Sequence, residues 1–152
     1  MANDHDIASR GLLGYPPYLM NRITHRYNQS LQKEVSQKGL SVPKMRALAA
    51  LAAMGELTIN ELTVYAVSEQ STMSRTLDQM EKDGLITRAV SGEDNRARVV
   101  SLTRTGRAAY RQIWPVLQTA EAAMFDGISA AEKEEFLGIL SRIMANIRVH
   151  PF

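Results

Sequence analysis

The sequence predicts a mainly α-helical protein that carries one small β-hairpin. Most of its 152 residues fall in segments whose apolar side chains recur every three or four positions, the period of a helix with one buried side. Two short segments differ: LITRAV at 85–90 and VVSLT at 99–103 are rich in β-branched residues, as strands are. The charged stretch SGEDNRAR between them predicts the loop of the hairpin.

Composition excludes several classes of function. The hydrophobic content of 45% is that of a globular domain, and the lack of cysteine excludes disulfides, thiol redox sensing and cysteine-ligated zinc. The three histidines, His5, His25 and His150, stand far apart, so no metal or other cofactor is expected. The sequence has no run of about 18 apolar residues, the length needed to cross a bilayer. Its acidic N-terminus is unlike a signal peptide. We therefore expect a cytoplasmic protein with no membrane partner.

The positive charge is unevenly distributed. The formal net charge is only +2. Residues 85–111 nevertheless hold six arginines against two acids: Arg88, Arg96, Arg98, Arg104, Arg107 and Arg111 against Glu93 and Asp94. Such a cluster is often a solvated surface, but it raises the odds of an anionic partner.

The first predicted helix begins at Tyr15, after a stretch at 1–14 that lacks periodicity and is expected to be flexible. Pro16 and Pro17 fit its first turn, where proline costs no hydrogen bond, and Gly39 ends it. Its apolar side chains predict a buried stripe of Leu19, Ile23, Tyr27, Leu31 and Val35. The second helix, SVPKMRALAALAAMGE, is rich in alanine, which permits close packing, and Gly55 ends it.

The third and fourth predicted helices follow each other closely. Thr58 and Glu61 have the spacing of a capping box, which starts a short third helix that stops near 67–68. The fourth helix, EQSTMSRTLDQMEKDG, has an apolar side made of Met73, Leu77 and Met80. Its opposite side is rich in hydrogen-bonding groups: Ser71, Arg75, Asp78 and Lys82, flanked by Thr72, Ser74 and Gln79.

Two long helices are predicted after the hairpin. Thr103 caps the fifth, which runs to about 128 and should be kinked by Pro115. Ser129 and Glu132 form a second capping box at the start of the sixth. The sixth helix has an apolar stripe of Phe136, Leu140, Ile143, Met144 and Ile147. These stripes exceed what a small domain can bury, so a two-fold homodimer explains them better than a local bundle does.

The order of the elements predicts a helix-turn-helix followed by a β-hairpin wing. In such units the second helix of the pair, here the fourth of the chain, enters the major groove of double-stranded DNA. The hairpin loop would then reach the neighbouring minor groove or backbone. No nucleophile–base pair, glycine-rich phosphate loop or carboxylate pair indicates catalysis, so an enzyme is not expected.

Two runs carry a family resemblance. STMSRTLDQMEKDGLITR at 71–88 and EDNRARVVSLTRTG at 93–106 resemble the MarR family of winged helix-turn-helix transcription regulators, and the order of helices is similar over about 15–148. The resemblance implies a homodimer that binds a pseudo-palindromic operator, in most cases as a repressor. It also implies release by a small phenolic or other aromatic ligand, bound between a helical dimerisation platform (15–38 and 104–150) and a winged DNA-binding domain (39–103).

The resemblance and the helix pattern together name candidate site residues. The DNA-binding candidates are Ser71, Thr72, Ser74, Arg75 and Gln79 on the fourth helix, with Asp94, Arg96 and Arg98 in the hairpin. The candidates for a ligand pocket are Tyr15, Tyr18, Met20, Met45, Tyr65 and Trp114, for each of which core or dimer packing is the simpler explanation. Arg75 is the strongest candidate, since a guanidinium suits guanine edges and phosphates.

Several alternatives stay open at this point. Asp78 either accepts a hydrogen bond from cytosine or pairs with Arg75 or Lys82. Asp94 and Arg96 either form a pair that stiffens the loop or place the arginine on DNA. The hairpin departs from the family pattern at Ser91 and Asn95, as does the turn at Ser68. A winged-helix module that binds protein, without specific DNA binding, is the alternative function.

Overall fold

The structure is a computed structural model and describes residues 6–90 and 98–152. Within these ranges it has seven α-helices and three strands: α1 (Ile7–Arg10), α2 (Pro16–Gln37), α3 (Val42–Met54), β1 (Leu57–Thr58), α4 (Ile59–Tyr65), α5 (Gln70–Lys82), β2 (Ile86–Val90), β3 (Arg98–Leu102), α6 (Arg104–Met124) and α7 (Ala130–Ile147). The predicted class, mainly helical with a small hairpin, is confirmed. No helix in the described part of the chain is long and apolar enough to cross a membrane.

The predicted helix starts are formed by side chains at the expected positions. The Thr58 hydroxyl accepts a hydrogen bond from the Glu61 amide at 3.2 Å, and the Glu61 carboxylate accepts one from the Thr58 amide at 2.8 Å. Ser129 and Glu132 form the same reciprocal pair at the start of α7. Caps of this kind contribute about 1 kcal/mol each, so the sequence fixes where α4 and α7 begin.

The sheet has one more strand than the sequence predicted. Its order is β1-β3-β2, and both pairings are antiparallel. The hairpin pairs Ile86 with Leu102 and Val90 with Arg98, while Leu57 of β1 pairs with Val100. The expected two-stranded hairpin is thus braced on its second strand by the segment just before α4.

The core lies between the sheet and helices α3, α4 and α5, and the C-terminal half of α2 and one turn of α6 close it. All its members are apolar, and no polar side chain in the described ranges is fully buried. The core residues are Leu31, Val35, Met45, Ala47, Leu48, Leu51, Leu57, Leu62, Ala66, Met73, Leu77, Met80, Leu85, Ile86, Val100, Leu102 and Ile113.

Helix α6 lies unusually close to the start of β2. The Thr103 amide donates to the Leu85 carbonyl at 3.0 Å, and the Thr103 hydroxyl donates to the Gly84 carbonyl at 2.6 Å. A Cβ added to Gly106 would lie 2.0 Å from the Leu85 carbonyl oxygen. Only glycine at 106 therefore permits this approach of α6 to the hairpin.

Two expectations about the long helices need correction, and the N-terminus forms elements that the sequence did not predict. In the described part of 1–14, these are α1, capped by the Asp6 carboxylate, and a 3₁₀ turn at Leu12–Gly14. Helix α6 continues through Pro115 and ends at Met124, before the predicted 128. Of the stripe predicted on α2, only Leu31 and Val35 are buried, and Ile23 is 49% exposed.

The long helices leave much apolar surface uncovered in the single chain. Helix α7 has no buried residue. Phe136, Met144 and Ile147 are 42%, 60% and 68% exposed. An open groove runs between α2 and α6 and reaches the start of α7, with Leu19, Ile23, Val116, Met124 and Phe136 among its lining residues. Apolar faces of this extent on a chain of this size are typical of interfaces.

Candidate nucleic-acid interface

The buried side of α5 determines which of its residues face solvent. Met73, Leu77 and Met80 have no exposed surface, and they anchor the helix on α3 and α4. The helical period then places the five candidates on the outside: Ser71, Thr72, Ser74, Arg75 and Gln79 are all exposed. The structure therefore brings these five predicted DNA-binding residues together on one solvent-facing side.

Two of these side chains differ in their freedom to reach a ligand. Arg75 makes no ion pair with any residue that the structure describes. Its guanidinium can thus offer donors to phosphate or to a guanine edge. The Gln79 side-chain amide donates to the Asp83 carboxylate at 2.9 Å, which ties down part of its hydrogen-bonding capacity.

Asp78 pairs with the hairpin, and neither of the helical partners expected for it is used. The Arg88 guanidinium of β2 donates through Nη2 to the Asp78 carboxylate, and its Nε lies 3.3 Å from a Glu81 oxygen without hydrogen-bond alignment. The Arg88 side chain is only 14% exposed. Arg88 was counted in the sequence only as part of a charge cluster. Here it holds β2 against α5 and neutralises acids that would repel phosphates.

The hairpin candidates are only partly described. Asp94 and Arg96 lie outside the described residues. Arg98 is the first residue of β3; it is exposed and pairs with Val90 across the ladder. The two residues that flank 91–97, Val90 and Arg98, are thus paired at the end of the strand that Arg88 links to α5.

The C-terminal end of α5 is linked to α3 by an ion pair. Lys44 Nζ lies 2.7 Å from the Asp83 carboxylate. Hydrogen bonds from Lys44 and from Gln79 hold the pKa of Asp83 below its ordinary value. This pair leaves the exposed side of α5 free.

The N-terminal end of α5 is reached through Arg46. Its Nη1 donates to the Val67 carbonyl at 3.2 Å, and its Nη2 donates to the Asn28 side-chain oxygen at 2.9 Å. Val67 lies in the turn between α4 and α5 and has φ 51°. No feature of the sequence singled out Arg46, because its partners are far apart along the chain.

The six pocket candidates do not share one cavity. Trp114 lines a cavity of about 310 Å³ between α2 and α6, together with Ile23, Tyr27 and Leu117. Tyr18 lines the open groove described above. Met45 is in the core, and Tyr65 packs on Phe152 with ring centroids 5.9 Å apart. Tyr15 and Met20 line neither cavity.

Polar side chains also line the small cavity: Thr24, Tyr27 and Glu121. From the sequence, Tyr27 was assigned only to a buried stripe. Burial and the nearby Glu121 carboxylate raise the pKa of its phenol, and Arg46 partly offsets this. The phenol stays protonated at neutral pH and can donate a hydrogen bond to a bound group.

Known proteins resemble this chain over most of its length. A sequence model of the MarR family matches residues 38–97. A MarR-family transcriptional regulator from Silicibacter pomeroyi is 48% identical; the match covers 97% of this chain and 100% of that one, with a TM-score of 0.91. A second regulator of the family from Silicibacter pomeroyi is 34% identical, over 91% of this chain and 93% of that one, with a TM-score of 0.85. The HTH-type transcriptional repressor IacR of Pseudomonas putida is 28% identical over 133 residues, which are 88% of this chain and 80% of that protein.

Proposed function

Because this chain belongs to the MarR family of transcription regulators, we propose that it is a repressor that binds a pseudo-palindromic operator as a homodimer. The observation that carries the proposal is the exposed side of α5. Its buried side determines which residues face outward, and its outer side presents serine, threonine and an arginine that forms no ion pair with any described residue. Arginine-bearing strands of the hairpin lie beside it. This is the arrangement of a helix that enters the major groove next to a wing.

The DNA contacts follow from that arrangement. Ser71, Thr72 and Ser74 offer hydroxyls near the N-terminus of α5, where backbone amides also favour phosphate. Arg75 contacts a base edge or a phosphate, and Gln79 lies one turn further on. Asp94, Arg96 and Arg98 supply the wing contacts. The solved complex of S. aureus MepR with DNA has this fold, at 22% identity and a TM-score of 0.73.

The dimer is proposed from the uncovered apolar faces. Residues 15–38 and 104–150 form the dimerisation platform, and 39–103 form the winged domain. A second copy would cover the groove between α2 and α6 and the exposed apolar side chains of α7. A two-fold dimer also places two α5 helices against two half-sites, which lie about 34–36 Å apart when they are one turn of DNA apart.

A small aromatic or phenolic ligand is proposed as the effector. The cavity beside Trp114 and Tyr27 is of a size for a single-ring compound, and Tyr27 supplies a hydrogen-bond donor. Streptomyces coelicolor PcaV, solved with its natural ligand, has the same fold at 20% identity. This cavity lies within the platform, whereas the resemblance implies a site between the platform and the winged domain. Binding between α2 and α6 would change the spacing of the two α5 helices. Unchanged operator affinity across a screen of phenolic and aromatic compounds would contradict this step.

The first experiment measures binding of the purified protein to DNA upstream of its own gene across a salt series. We expect affinity that falls steeply with salt, with a slope of roughly 0.9 per phosphate contact. Arg75→Ala and Arg96→Ala should each lower affinity at least about tenfold while the oligomeric state is unchanged.

The matched control is Lys33→Ala, which removes a positive charge from an exposed site on α2. It should leave affinity near that of the parent. If the arginine variants bind like the parent, the assigned contacts are wrong. If the protein is a dimer that binds every candidate operator weakly and with no dependence on DNA sequence, the protein-binding alternative is favoured.

A further inference from the structure

Arg46 joins two parts of the molecule that have different tasks. Its guanidinium spans from Asn28, in the middle of α2, to Val67, in the turn that precedes α5. Helix α2 belongs to the proposed platform, and α5 is the proposed reading helix. The side chain is partly buried in α3 between them.

Val67 needs to be held in its conformation. Among 6–90 and 98–152 it is the only residue other than glycine with a positive φ, at 51°. That region is unfavourable for a β-branched residue. Its side chain is 75% exposed, so packing contributes little to holding it there. The turn is closed by two backbone hydrogen bonds, from Val67 to Val64 and from Ser68 to Thr63, each 3.1 Å.

The Val67 carbonyl takes no part in those two bonds and accepts a hydrogen bond from Arg46. Since α5 begins at Gln70, a change at Val67 redirects the first turn of the helix, where Ser71, Thr72 and Ser74 lie. The Lys44–Asp83 pair holds the other end of α5. A loose turn would thus let α5 pivot about its C-terminal end.

We propose that Arg46 is a positioning residue that sets the direction of the reading helix relative to α2 by holding Val67 in its left-handed conformation. The inference rests on the proposed function, in that α5 is taken to be the helix that reads DNA. Lysine would not replace arginine, because its one ammonium nitrogen cannot take the place of the two terminal nitrogens through which Arg46 donates to Val67 and Asn28.

The variants are chosen to separate positioning from charge and from stability. Arg46→Met keeps the aliphatic stem, Arg46→Lys keeps the charge, and Lys33→Met removes a charge from an exposed site elsewhere. Val67→Gly is combined with each Arg46 variant, because glycine adopts positive φ without being held. If Arg46→Met does not fold, the Arg46→Lys pair carries the same comparison.

Two quantities are measured on full-length protein well below its melting temperature. One is operator affinity with its salt slope, and the other is hydrogen exchange of the backbone amides of 66–68. We expect Arg46→Met and Arg46→Lys to lower affinity about 3- to 30-fold with the oligomeric state unchanged. Exchange at 66–68 should rise at least about tenfold while exchange in α7 stays constant.

Rescue is the decisive outcome. Val67→Gly should restore most of the affinity lost in either Arg46 variant, and Lys33→Met should behave like the parent. Affinity that falls without rescue, or turn amides that exchange as in the parent, would overturn the proposal, since Arg46 would then act by charge or by general stability. If the parent itself binds no DNA, the proposed function fails. The exchange measurement would still decide whether Arg46 holds the turn.

Discussion

At the scale of single residues, Gly106 shows how one missing side chain sets the contact between hairpin and platform. The helix start at Thr103 and the approach at Gly106 together tie α6 to the backbone of Gly84 and Leu85. The family resemblance included the run L-T-x-x-G. Its physical reason became visible only with the structure, because Leu85 is distant from 106 in the chain.

Gly106→Ala should lower the free energy of unfolding by about 1–3 kcal/mol, the usual cost of overpacking. The methyl group would meet a backbone carbonyl, which cannot rotate away, so α6 or β2 must shift. Denaturant unfolding measures the change.

Gly138→Ala is the matched control, because a Cβ at Gly138 meets nothing within 4 Å in an exposed part of α7. Removing a glycine from a helix interior should stabilise by roughly 0.5–1 kcal/mol. If both variants change the free energy of unfolding equally, the close contact between residue 106 and Leu85 does not determine stability.

At the scale of elements, the helices could be predicted well and the connections between them less well. Apolar period and capping residues are local, so the pattern at Thr58, Glu61 and Met73 was sufficient for α4 and α5. β1 was missed because it has only two residues, one of which, Thr58, is also the cap of α4, and its strand character comes only from pairing with β3. The partners of Arg46 and Arg88 were missed for the same reason, since distant pairings leave no local pattern.

The link between α3 and α5 predicts a pH dependence. The pKa of Asp83 is lowered in the folded state by hydrogen bonds from Lys44 and Gln79. Its contribution to stability is therefore present above the unfolded-state pKa and is lost as pH falls through the folded-state pKa. Asp83→Asn should lower the melting temperature at about pH 7 and change it much less at a pH low enough to protonate the parent's carboxyl, which lies below the ordinary value of about 3.9.

Thermal unfolding of parent and variant over that pH range checks the expectation. High salt should shrink the difference at neutral pH, because the pair is partly exposed. A difference that stays constant with pH would mean that the asparagine perturbs packing and not the ion pair.

At the scale of the whole molecule, the exposed apolar surface of α7 predicts that charged substitutions on this helix will prevent dimer formation. Met144→Glu combined with Ile147→Glu places two carboxylates on side chains that are 60% and 68% exposed in the single chain. A second copy that covers them would have to desolvate both charges. Sedimentation should then give a mass near the 16.9 kDa of one chain, where the parent should give twice that value.

Glu135→Lys, an exposed polar substitution on the same helix, should keep the parent's mass. If the double variant is a monomer, its DNA affinity should also be lower than the parent's, because one winged domain contacts only one half-site. An unchanged mass would show that the interface lies elsewhere on the apolar surface.

The central place of β3 in the sheet has a consequence for synthesis on the ribosome. β1 and β2 are translated first, yet neither pairs with the other, and both wait for 98–102 to emerge. Until then Leu57 and Ile86, which end up 5% and 2% exposed, lack their partners Val100 and Leu102. The sheet therefore cannot form until the second strand of the hairpin has been translated, and that strand has to insert between two strands already made.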